Sequence, residues 1–561
     1  MEQWKEVLIT VIFKNKGKRK QLVNYRGIFL KQILSKMFEK LNMNRIKGNT
    51  EKIDKFQAGS TSNRSPADQT FMLRAAVDHA VYLNRPLYIT VYDFSQCFDS
   101  LWLADSLLSL WKLGVRSETL SNISKMNETC KIVVKTPIGL TEETTVTSIV
   151  QQGSVSGGVL CSASTAEVTQ ENLGKGCQIG LSNIRALAFV DDIAACNTEI
   201  PDVYQSHSKI TWFSDKKRLP LNIPKCMLLA INATEVIPRL KINEVLLKIV
   251  ERAIYLGDTF NKDGSNTDLI TDRVTKGNTC IINAITLCDE VTLGTFTVQT
   301  LLLLYKCLYI AVVLYNSQAW SKLTADNISV LQTNQLKFLK RIFHVPKSTP
   351  NAITFLETGT LPIKQEIDVR RLNFLHHILT LGEEDPVNIT YKQLLRYKFE
   401  PNWANDIRDI RQVYELVQTD EEIAAMTKEA WKRIVKRRIR HHALQQLNDE
   451  LAKLKIGDKI GPYSELKRRD YLNCLPPHEA RSIFQLRSGV IDTKCTRKYW
   501  YDDRICRVCH LKDEDVDHLV NECPGISRKH TINNLFTEDV NDLKEISARL
   551  VQFEKLVSKN Q

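Results

Sequence analysis

The sequence predicts an α+β protein with a mostly helical C-terminal region, and three changes of pattern along the chain support this fold class. Up to about residue 263, short runs of β-branched and aromatic residues alternate with amphipathic helices. From about residue 266 to 455, apolar residues recur at intervals of three and four, as in packed helices. Cysteine and histidine then cluster near the C-terminus, which indicates a small metal-binding module.

The composition indicates a globular protein with a polyanionic partner. The 561 residues include 77 lysines and arginines against 64 aspartates and glutamates, a formal net charge of +13. Such an excess favours nucleic acid as the partner, with an anionic membrane surface as the second candidate. The longest apolar stretch, residues 301–315, is shorter than the roughly 20 residues that a membrane-spanning helix needs, so we do not expect the chain to be a membrane protein. We expect an intracellular chain whose 14 cysteines are mostly reduced.

The clearest strand of the first region is predicted over residues 87–94, where β-branched and aromatic side chains are dense. Asp93 lies near its end. Asp99 and Ser100 follow, and we expect them to cap a helix over residues 101–113, whose leucines and tryptophans have helical spacing.

A β-hairpin is predicted around Asp191 and Asp192, because short apolar runs at 187–190 and 193–195 flank them. Adjacent carboxylates in apolar surroundings repel each other, and a bound cation relieves the repulsion. Together with Asp93 they provide what two divalent metals about 4 Å apart need, namely a few hard oxygen ligands at strand ends. Aspartate at a strand end is also a common turn former or helix cap, which is the alternative interpretation.

Four residues near the C-terminus have the spacing of a structural zinc site. Cys506 and Cys509 form a tight pair, and His518 and Cys523 follow after eight and four intervening residues. Zinc in structural sites takes four such sulfur and nitrogen ligands in a tetrahedron. We therefore predict bound zinc at these four residues.

The densest basic run of the chain lies between this module and the first region. It comprises Lys432, Arg433, Lys436, Arg437, Arg438 and Arg440. A basic helix face is either simply solvated or a surface for nucleic acid, and the sequence leaves both interpretations open.

Seven sequence blocks resemble, in order, those of the reverse transcriptases of non-LTR (LINE-type) retrotransposons. The blocks are NYRGIFL at 24–30, RSPADQ at 64–69, YDFSQCFD at 92–99, QGSVSGGVL at 152–160, FVDD at 189–192, LPLNIPK at 219–225 and YLG at 255–257. The resemblance covers about residues 4–263 closely and extends more loosely to about 385. It implies a right-hand polymerase that extends a primer on an RNA template.

The resemblance also implies a division of the chain. The implied parts are fingers and palm at 1–263, a helical thumb at 264–350, a helical basic connector at 351–480, a CCHC zinc knuckle region at 481–530 and a C-terminal helix at 531–561. We expect no endonuclease domain, because the segments before Asn24 and after Cys523 are too short for a further folded domain.

The resemblance implies catalytic roles for four residues. Asp93 and Asp191 would bridge two Mg²⁺ ions, with Mn²⁺ as the alternative metal, and Asp192 would complete the cluster. Lys225 would lie near the pyrophosphate leaving group as a general acid.

A second implied group would bind the substrates. It comprises Lys14, Arg26, Phe94, Phe98, Gln152 and Gly153. Lys14 and Arg26 would hold the triphosphate, whose charge requires cationic partners. Phe98 stands where the family has an aromatic steric gate against a ribose 2′-hydroxyl, which favours dNTPs. Gln152 and Gly153 would pack against the templating base pair.

Four motif positions depart from the family pattern, namely Gly27, Gln96, Gly157 and Arg218. None of them is a predicted metal ligand. Four unusual residues at motif positions nevertheless fit a decaying element. The alternative to an active enzyme is a catalytically decayed or domesticated fragment that only binds nucleic acid. An RNA-dependent RNA polymerase would use the same aspartates, and a group II intron maturase would share the palm blocks. Phe98 disfavours the former, and the zinc knuckle disfavours the latter.

The expected partners of an active enzyme are template RNA, primer DNA and dNTPs. We expect these partners in a nuclear or cytoplasmic ribonucleoprotein. The sequence leaves the template, the target site and the oligomeric state undetermined.

Overall fold

The computed structural model describes residues 2–14, 17–147, 150–233, 237–292, 296–397, 399, 402–497, 500–528 and 531–559. Helices account for 53% of the structure and strands for 15%, so the predicted α+β class with a helical C-terminal region is confirmed. The chain forms two compact units. Unit 1 comprises Met1–Asp268, Ala319–Lys322 and Ile378–Asp406, and unit 2 comprises Leu269–Gln318, Leu323–His377 and Ile407–Gln561.

The strands lie in the first half of the chain. They are β1 (Glu6–Phe13), β2 (Tyr25–Lys31), β3 (Leu87–Asp93), β4 (Thr129–Thr136), β5 (Gly139–Leu140), β6 (Thr144–Thr147), β7 (Cys177–Ile179), β8 (Ser182–Ile184), β9 (Ala186–Phe189), β10 (Asp192–Asn197), β11 (Met227–Ile231), β12 (Lys241–Ile242), β13 (Val245–Leu246), β14 (Lys248–Val250), β15 (Arg252–Tyr255) and β16 (Asp258–Asn261).

Helices occur along the whole chain. They are α1 (Ile33–Arg45), α2 (Lys47–Thr50), α3 (Pro66–Leu83), α4 (Cys97–Ser100), α5 (Leu103–Lys112), α6 (Ser117–Glu128), α7 (Gly157–Thr165), α8 (Ile200–Lys217), α9 (Thr267–Thr292), α10 (Val298–Leu304), α11 (Ala311–Val313), α12 (Ala325–Ile342), α13 (Asn351–Thr358), α14 (Ile363–Thr380), α15 (Pro386–Arg396), α16 (Trp403–Val413), α17 (Asp420–Ala425), α18 (Lys428–Ala452), α19 (Gly457–Ile460), α20 (Tyr471–Cys474), α21 (Pro477–Arg487) and α22 (Val540–Lys559).

Unit 1 is built on a central sheet with the strand order β14-β11-β3-β10-β9. Strand β3 pairs antiparallel with β10 on one side and with β11 on the other. The first six of its seven residues are buried, which suits the β-branched side chains of Ile89, Thr90 and Val91. Because neighbours hold β3 on both sides, the position of its last residue, Asp93, is fixed by the sheet.

A second sheet of unit 1 carries the N-terminal residues. Its strand order is β2-β1-β4-β5, with β6 also paired to β4. Val7, Ile9, Phe29 and Cys130 form a small buried cluster on this sheet. The N–H of Phe29 donates to the carbonyl of Gln152 at 3.0 Å, so the backbone at Gln152 and Gly153 is attached to strand β2.

The predicted strand at 87–94 and the predicted hairpin around Asp191 and Asp192 are confirmed as β3 and as β9 with β10. The predicted helix cap is wrong. Asp99 and Ser100 lie inside the short helix α4, and the chain is extended at Leu101 and Trp102 before α5 begins.

Helix α8 ends at one of the departures from the family pattern. Arg218 caps this helix with φ of +54°, a left-handed conformation that glycine adopts without strain and that costs other residues roughly 1–2 kcal/mol. Its guanidinium lies 5.0 Å from the ring centroid of Trp102, a cation–π contact that offsets part of this cost. An arginine is therefore compatible with the turn.

Unit 2 contains the long helix α18, whose buried residues recur at every fourth position from Trp431 to Leu451. The indole N–H of Trp431 donates to the carbonyl of Leu372 at 2.8 Å, which fixes one end of the helix. Helices α21 and α22 pack against each other in the same unit. Among the described residues, no helix combines the length and the apolar character needed to cross a bilayer.

Candidate active site

Three carboxylates meet at one end of the central sheet. Asp93 is the last residue of β3, Asp192 is the first residue of β10, and the two are direct cross-strand partners. Asp191 precedes Asp192 in the two-residue turn between β9 and β10. Cross-strand partners have Cβ atoms about 4.5–5.5 Å apart, so the register places the side chains of Asp93 and Asp192 next to each other.

The turn between β9 and β10 has a strained backbone. Val190 has φ of +58°, and this left-handed conformation is a genuine outlier for a β-branched residue. Such a conformation costs about 1–3 kcal/mol and persists only where the surroundings hold it. Val190 directly precedes Asp191, so the contacts that hold Val190 also orient the first carboxylate of the pair.

Gln57 provides these contacts from a fully buried position. Its Oε1 accepts from the N–H of Val190 at 2.8 Å, and its Nε2 donates to the carbonyl of Val190 at 3.1 Å. The same amide also accepts from the N–H of Gly59 at 2.9 Å and donates to the hydroxyl of Thr165 at 3.0 Å. A Cβ atom at position 59 would lie 2.3 Å from the nitrogen of Val190, so only glycine fits beside the turn.

Burial and mutual repulsion raise the pKa values of two of the three carboxyls. Burial raises the pKa of Asp192 to about 7, and the negative charges of Asp191 and Asp93 contribute to the rise. Burial and Asp93 also raise the pKa of Asp191, whereas the positive charges of Lys225 and Arg26 oppose that rise. A buried carboxyl group with a raised pKa is stabilised either by a bound proton or by a bound cation.

Lys225 is the cation that contacts Asp93. Its Nζ lies 2.7 Å from one carboxylate oxygen and 2.8 Å from the other. The lysine side chain is 58% exposed and the aspartate side chain 15%, so Lys225 can move away without disturbing the core. A divalent ion bound by Asp93 would compete with this ion pair.

The two predicted triphosphate ligands are placed differently. Arg26 is an exposed residue of β2, and it is close enough to lower the pKa of Asp191 against the rise caused by burial. Lys14 directly follows β1, and its charge opposes the rise that burial causes in the pKa of Asp99. The structure therefore brings Arg26 near the three carboxylates and Lys14 near the helix that follows β3.

The other predicted substrate-binding residues lie on two segments, one that follows β3 and one that is attached to β2. Phe98 is half-buried against the core, whereas Phe94 is 2% exposed and packs on Phe213 at 6.4 Å between ring centroids. Gln152 is half-buried. Gly153 has φ of +102°, and a Cβ atom there would lie 3.2 Å from the carbonyl oxygen of Phe29. The structure thus places Phe94 beneath the surface and the other three closer to it.

A separate Cys/His cluster lies in unit 2. The ligand atoms of Cys506, Cys509, His518 and Cys523 all lie within 4.8 Å of one another. The Sγ atoms of Cys506 and Cys523 are 4.0 Å apart, and Sγ of Cys509 is 3.2 Å from Nε2 of His518. The sequence-predicted zinc ligands are therefore brought together, and Nε2 is the histidine nitrogen that faces the sulfurs.

The thiols of this cluster differ in their electrostatic environment. Burial raises the pKa of Cys506, and it raises the pKa of Cys523 to about 12. For Cys509 the effect of burial is outweighed by hydrogen bonds from the backbone of Leu511 and from His518, and the pKa falls to about 7. At least one thiolate is thus accessible near neutral pH, as metal binding requires.

The carboxylates and the Cys/His cluster offer ligands for two metals of different chemistry. Three carboxylates at a half-buried edge offer hard oxygen ligands, which Mg²⁺ and Mn²⁺ prefer. Three sulfurs and one imidazole nitrogen offer the softer set typical of structural zinc. Bound divalent ions at the carboxylates would neutralise phosphate charge and favour deprotonation of a hydroxyl group.

The sequence did not identify Gln57 as a site residue. Its role depends on hydrogen bonds to a backbone 133 residues later in the chain, and an uncharged amide carries no chemical signature of its own. The sequence offered one weak signal nearby, Gly59, since a glycine can mark a close approach of the backbone.

Residues 14–260 match the family model described as reverse transcriptase (RNA-dependent DNA polymerase). Comparison with the curated proteins finds no match. Among solved structures, apo telomerase from Candida tropicalis, truncated from its C-terminal domain, is 14% identical, with 47% of this chain and 55% of that chain covered and a TM-score of 0.34. Telomerase from Candida albicans, in complex with a TWJ fragment of telomeric RNA, is 12% identical, with 72% and 66% covered and a TM-score of 0.35. This chain thus spans less than two thirds of the length of either telomerase.

The predicted reverse transcriptase fold is confirmed by the family match and by the α+β architecture. The matched range contains the central sheet, the three carboxylates and Lys225. It ends before the helices of unit 2 and before the Cys/His cluster, so the match assigns no function to those parts.

A Gln57→Ala substitution is expected to weaken Mn²⁺ binding at the carboxylates by roughly 10–100-fold, as loss of a residue that orients a metal ligand does. The reason is that Val190 would relax from its strained conformation and Asp191 would lose its orientation. Electron paramagnetic resonance titration of free Mn²⁺ measures the affinity.

Gln69→Ala is the matched control for this substitution, because Gln69 is also fully buried and bonds the carbonyl of Phe56 at 3.1 Å without contacting the turn. It should lower the unfolding temperature but leave Mn²⁺ affinity unchanged. Equal loss of affinity in both variants would show that Gln57 acts only through general stability.

The raised pKa of Asp192 predicts a pH-dependent stability in magnesium-free buffer. The folded state holds this proton up to pH of about 7, whereas an unfolded aspartate loses it near 3.9, so the folded state binds more protons in between and its stability falls as pH rises. Asp192→Asn should therefore be more stable than wild type at pH 8, by about 1–3 kcal/mol after allowance for solvent screening, and equal to it at pH 4. Thermal unfolding across this range measures the difference, and a difference that is constant with pH would contradict the account.

Proposed function

We propose that this chain is an RNA-directed DNA polymerase of a non-LTR (LINE-type) retrotransposon. The observation that carries the proposal is the cross-strand pairing of Asp93 with Asp192, with Asp191 in the adjoining turn, inside the range that matches the reverse transcriptase family. Nucleotidyl transfer needs oxygen ligands for two divalent ions at one place, and this arrangement supplies them. The template would be RNA, the primer DNA and the substrates dNTPs.

In this proposal Asp93, Asp191 and Asp192 would hold Mg²⁺, which when bound would supply neutralisation of charge on the transferred phosphate and favour loss of the proton from the primer hydroxyl. Lys225 would release Asp93 if that carboxylate took up a metal, and its ammonium group would then be able to donate a proton to the pyrophosphate leaving group. Arg26 is the better placed of the two triphosphate ligands, since its charge acts on Asp191.

Selection between sugars is assigned to Phe98. Phe98 lies five residues after Asp93, and its half-buried ring packs against the core, so its position is restrained. A ribose 2′-hydroxyl would meet the ring, whereas a deoxyribose would not. Gln152 and Gly153 are proposed to contact the templating base pair, because the hydrogen bond to Phe29 holds their backbone against strand β2.

The remaining parts of the chain receive the roles that the sequence suggested. Residues 1–263 would be the fingers and palm, 264–350 the thumb, 351–480 the connector and 481–530 a zinc knuckle region, followed by a C-terminal helix. The protein would act in a nuclear or cytoplasmic ribonucleoprotein. The four clustered ligand atoms support zinc at the knuckle.

Primer extension with Mg²⁺ and dNTPs on a primed RNA template tests the polymerase proposal. Asp191→Ala should lower the extension rate at least about 100-fold, as loss of one preorganised electrostatic group does, while RNA binding stays nearly unchanged. Asp215→Ala is the control, because Asp215 is an exposed aspartate of α8 outside the carboxylate cluster. Extension by wild type that Asp191→Ala retains would refute the assignment. A wild type that binds RNA but never extends a primer would instead favour the decayed, binding-only alternative.

Elemental analysis tests the zinc site. We expect about one zinc per chain, lost in a Cys509→Ser, His518→Ala double variant because two of four ligands are gone. The control is Cys474→Ser, His478→Ala, in which an exposed cysteine and an exposed histidine of the same unit are changed. Zinc-free wild-type protein from zinc-replete expression would contradict the prediction.

A further inference from the structure

One cavity of unit 2 is lined by an excess of cationic side chains. It has a volume of about 670 Å³, and seven of its lining residues are lysine or arginine, whereas one, Glu465, is acidic. Four of the cations belong to helix α18, namely Arg433, Lys436, Arg437 and Arg440. The others are Lys306 and the pair at 467–468, so three separate segments direct positive charge into the same space.

The cations of the basic run on helix α18 lie in two different surroundings, inside and outside the cavity lining. The four lining cations recur at intervals of three and four, which places them on one face over about 10.5 Å of helix. Apolar residues such as Val435 and Ile439 form the buried side. Lys432 and Arg438 belong to the same run but lie outside the cavity lining, and Arg438 pairs with Glu415 at 3.2 Å. The run is therefore not a uniformly solvated face.

The cavity charge is only partly neutralised within the described part of the chain, where Lys467 pairs with Glu465 at 3.9 Å. Arg433, Lys436 and Arg437 make no ion pair with the residues described there. Arg440 donates to the carbonyl of Gly359 at 3.3 Å, which satisfies hydrogen bonding but not charge. Nε of Arg468 is buried without a hydrogen-bond partner. Cations held this close together repel one another, and a bound polyanion would remove that repulsion.

One further carboxyl lies near these cations. Burial raises the pKa of Glu366, and the charges of Arg370, Lys306, Arg440 and Lys436 oppose the rise. Glu366 is half-buried. Even with Glu366 and Glu465 both ionised, the cations lining the cavity remain in large excess.

We infer that this cavity binds the phosphate backbone of a nucleic-acid strand, independently of base sequence. The cations of α18 form a row, and a row matches a linear polyanion better than a single compact anion. At one phosphate per about 3.4 Å of each strand, the face of about 10.5 Å would meet about three consecutive phosphates. This strand-binding role deepens the proposed polymerase function and rests on it, because a polymerase must hold its template and primer; binding of a strand does not itself require the carboxylates.

The apolar part of the lining supports a strand over a free inorganic anion. Leu302 and Leu303 of α10 line the cavity together with the cations, and Leu303 is 59% exposed. Bases and sugars of a bound strand would cover such apolar surface, whereas phosphate alone would leave it in water. The ligand is thus a phosphodiester chain with its nucleosides, held mainly by charge.

Salt-dependent binding of a fluorescein-labelled 20-nucleotide RNA by the full chain tests the inference. A Lys436→Gln, Arg437→Gln variant should bind more weakly, and the slope of log K against log salt should become shallower by about 1.4, because each lost phosphate contact with a single strand contributes about 0.7. The loss should be the same for two RNAs of unrelated sequence.

The matched control is Lys432→Gln, Arg438→Gln, which removes the same charge from the same helix outside the cavity. It should leave the slope close to that of wild type. An equal change in both double variants would show that only net charge matters, and no change in the cavity variant would show that the strand does not enter; either result overturns the inference. Labelled ATP provides a further arm: if the cavity variant loses ATP binding but keeps RNA binding, the site serves a free nucleotide and the inference is wrong.

The outcome can be separated from that of the polymerase proposal. Binding is measured without dNTPs and without Mg²⁺, so a catalytically inactive wild type would still report on the cavity. Conversely, the carboxylates and Lys225 belong to unit 1 and are unchanged in the cavity variant, so loss of extension in Asp191→Ala reports on the polymerase proposal alone.

Discussion

The candidate active site depends on one constraint, which is that three mutually repelling carboxylates stay together at the end of the central sheet. The strand register imposes this constraint, since it places Asp192 directly opposite Asp93 and leaves Asp191 in the adjoining turn. Burial, together with repulsion, raises the pKa values of the pair in the hairpin, which means that the folded state without metal is less stable than it would be with neutral side chains. A bound divalent cation would relieve the repulsion, so the arrangement that destabilises the metal-free protein also gives it affinity for divalent cations.

The surrounding structure holds this arrangement through buried contacts of three kinds. Strand β3 is covered on both sides, so Asp93 cannot shift without breaking the sheet. Gln57 fixes both polar groups of the strained Val190 and thereby orients the residue that follows it. The hydroxyl of Tyr255, next to the tight turn at Leu256 and Gly257, donates to the carbonyl of Leu187 at 2.9 Å and ties the β15–β16 hairpin to β9. Lys225 is largely exposed and could exchange its partner if Asp93 bound a metal.

Much of the fold could be predicted from the sequence because the periodicity of apolar residues and the local composition indicate the strands and helices. The strand at β3 and the hairpin at Asp191 and Asp192 follow from short apolar runs, and the close approach of Cys506, Cys509, His518 and Cys523 follows from spacing. The cap assigned to Asp99 was wrong because local propensity cannot show that the chain forms a separate turn of helix before α5. Gln57 and the division of the basic run on α18 depend on contacts between distant segments, and such contacts leave no local signal.

The most direct test of the account is the position of bound metal. Anomalous diffraction from crystals of the full chain with Mn²⁺ and a primed RNA template would locate the ions. The account predicts two manganese peaks about 4 Å apart at the end of β3, bound by Asp93 and Asp191, with Lys225 withdrawn from Asp93. An ion pair between Lys225 and Asp93 that persists while manganese binds elsewhere, or not at all, would contradict it.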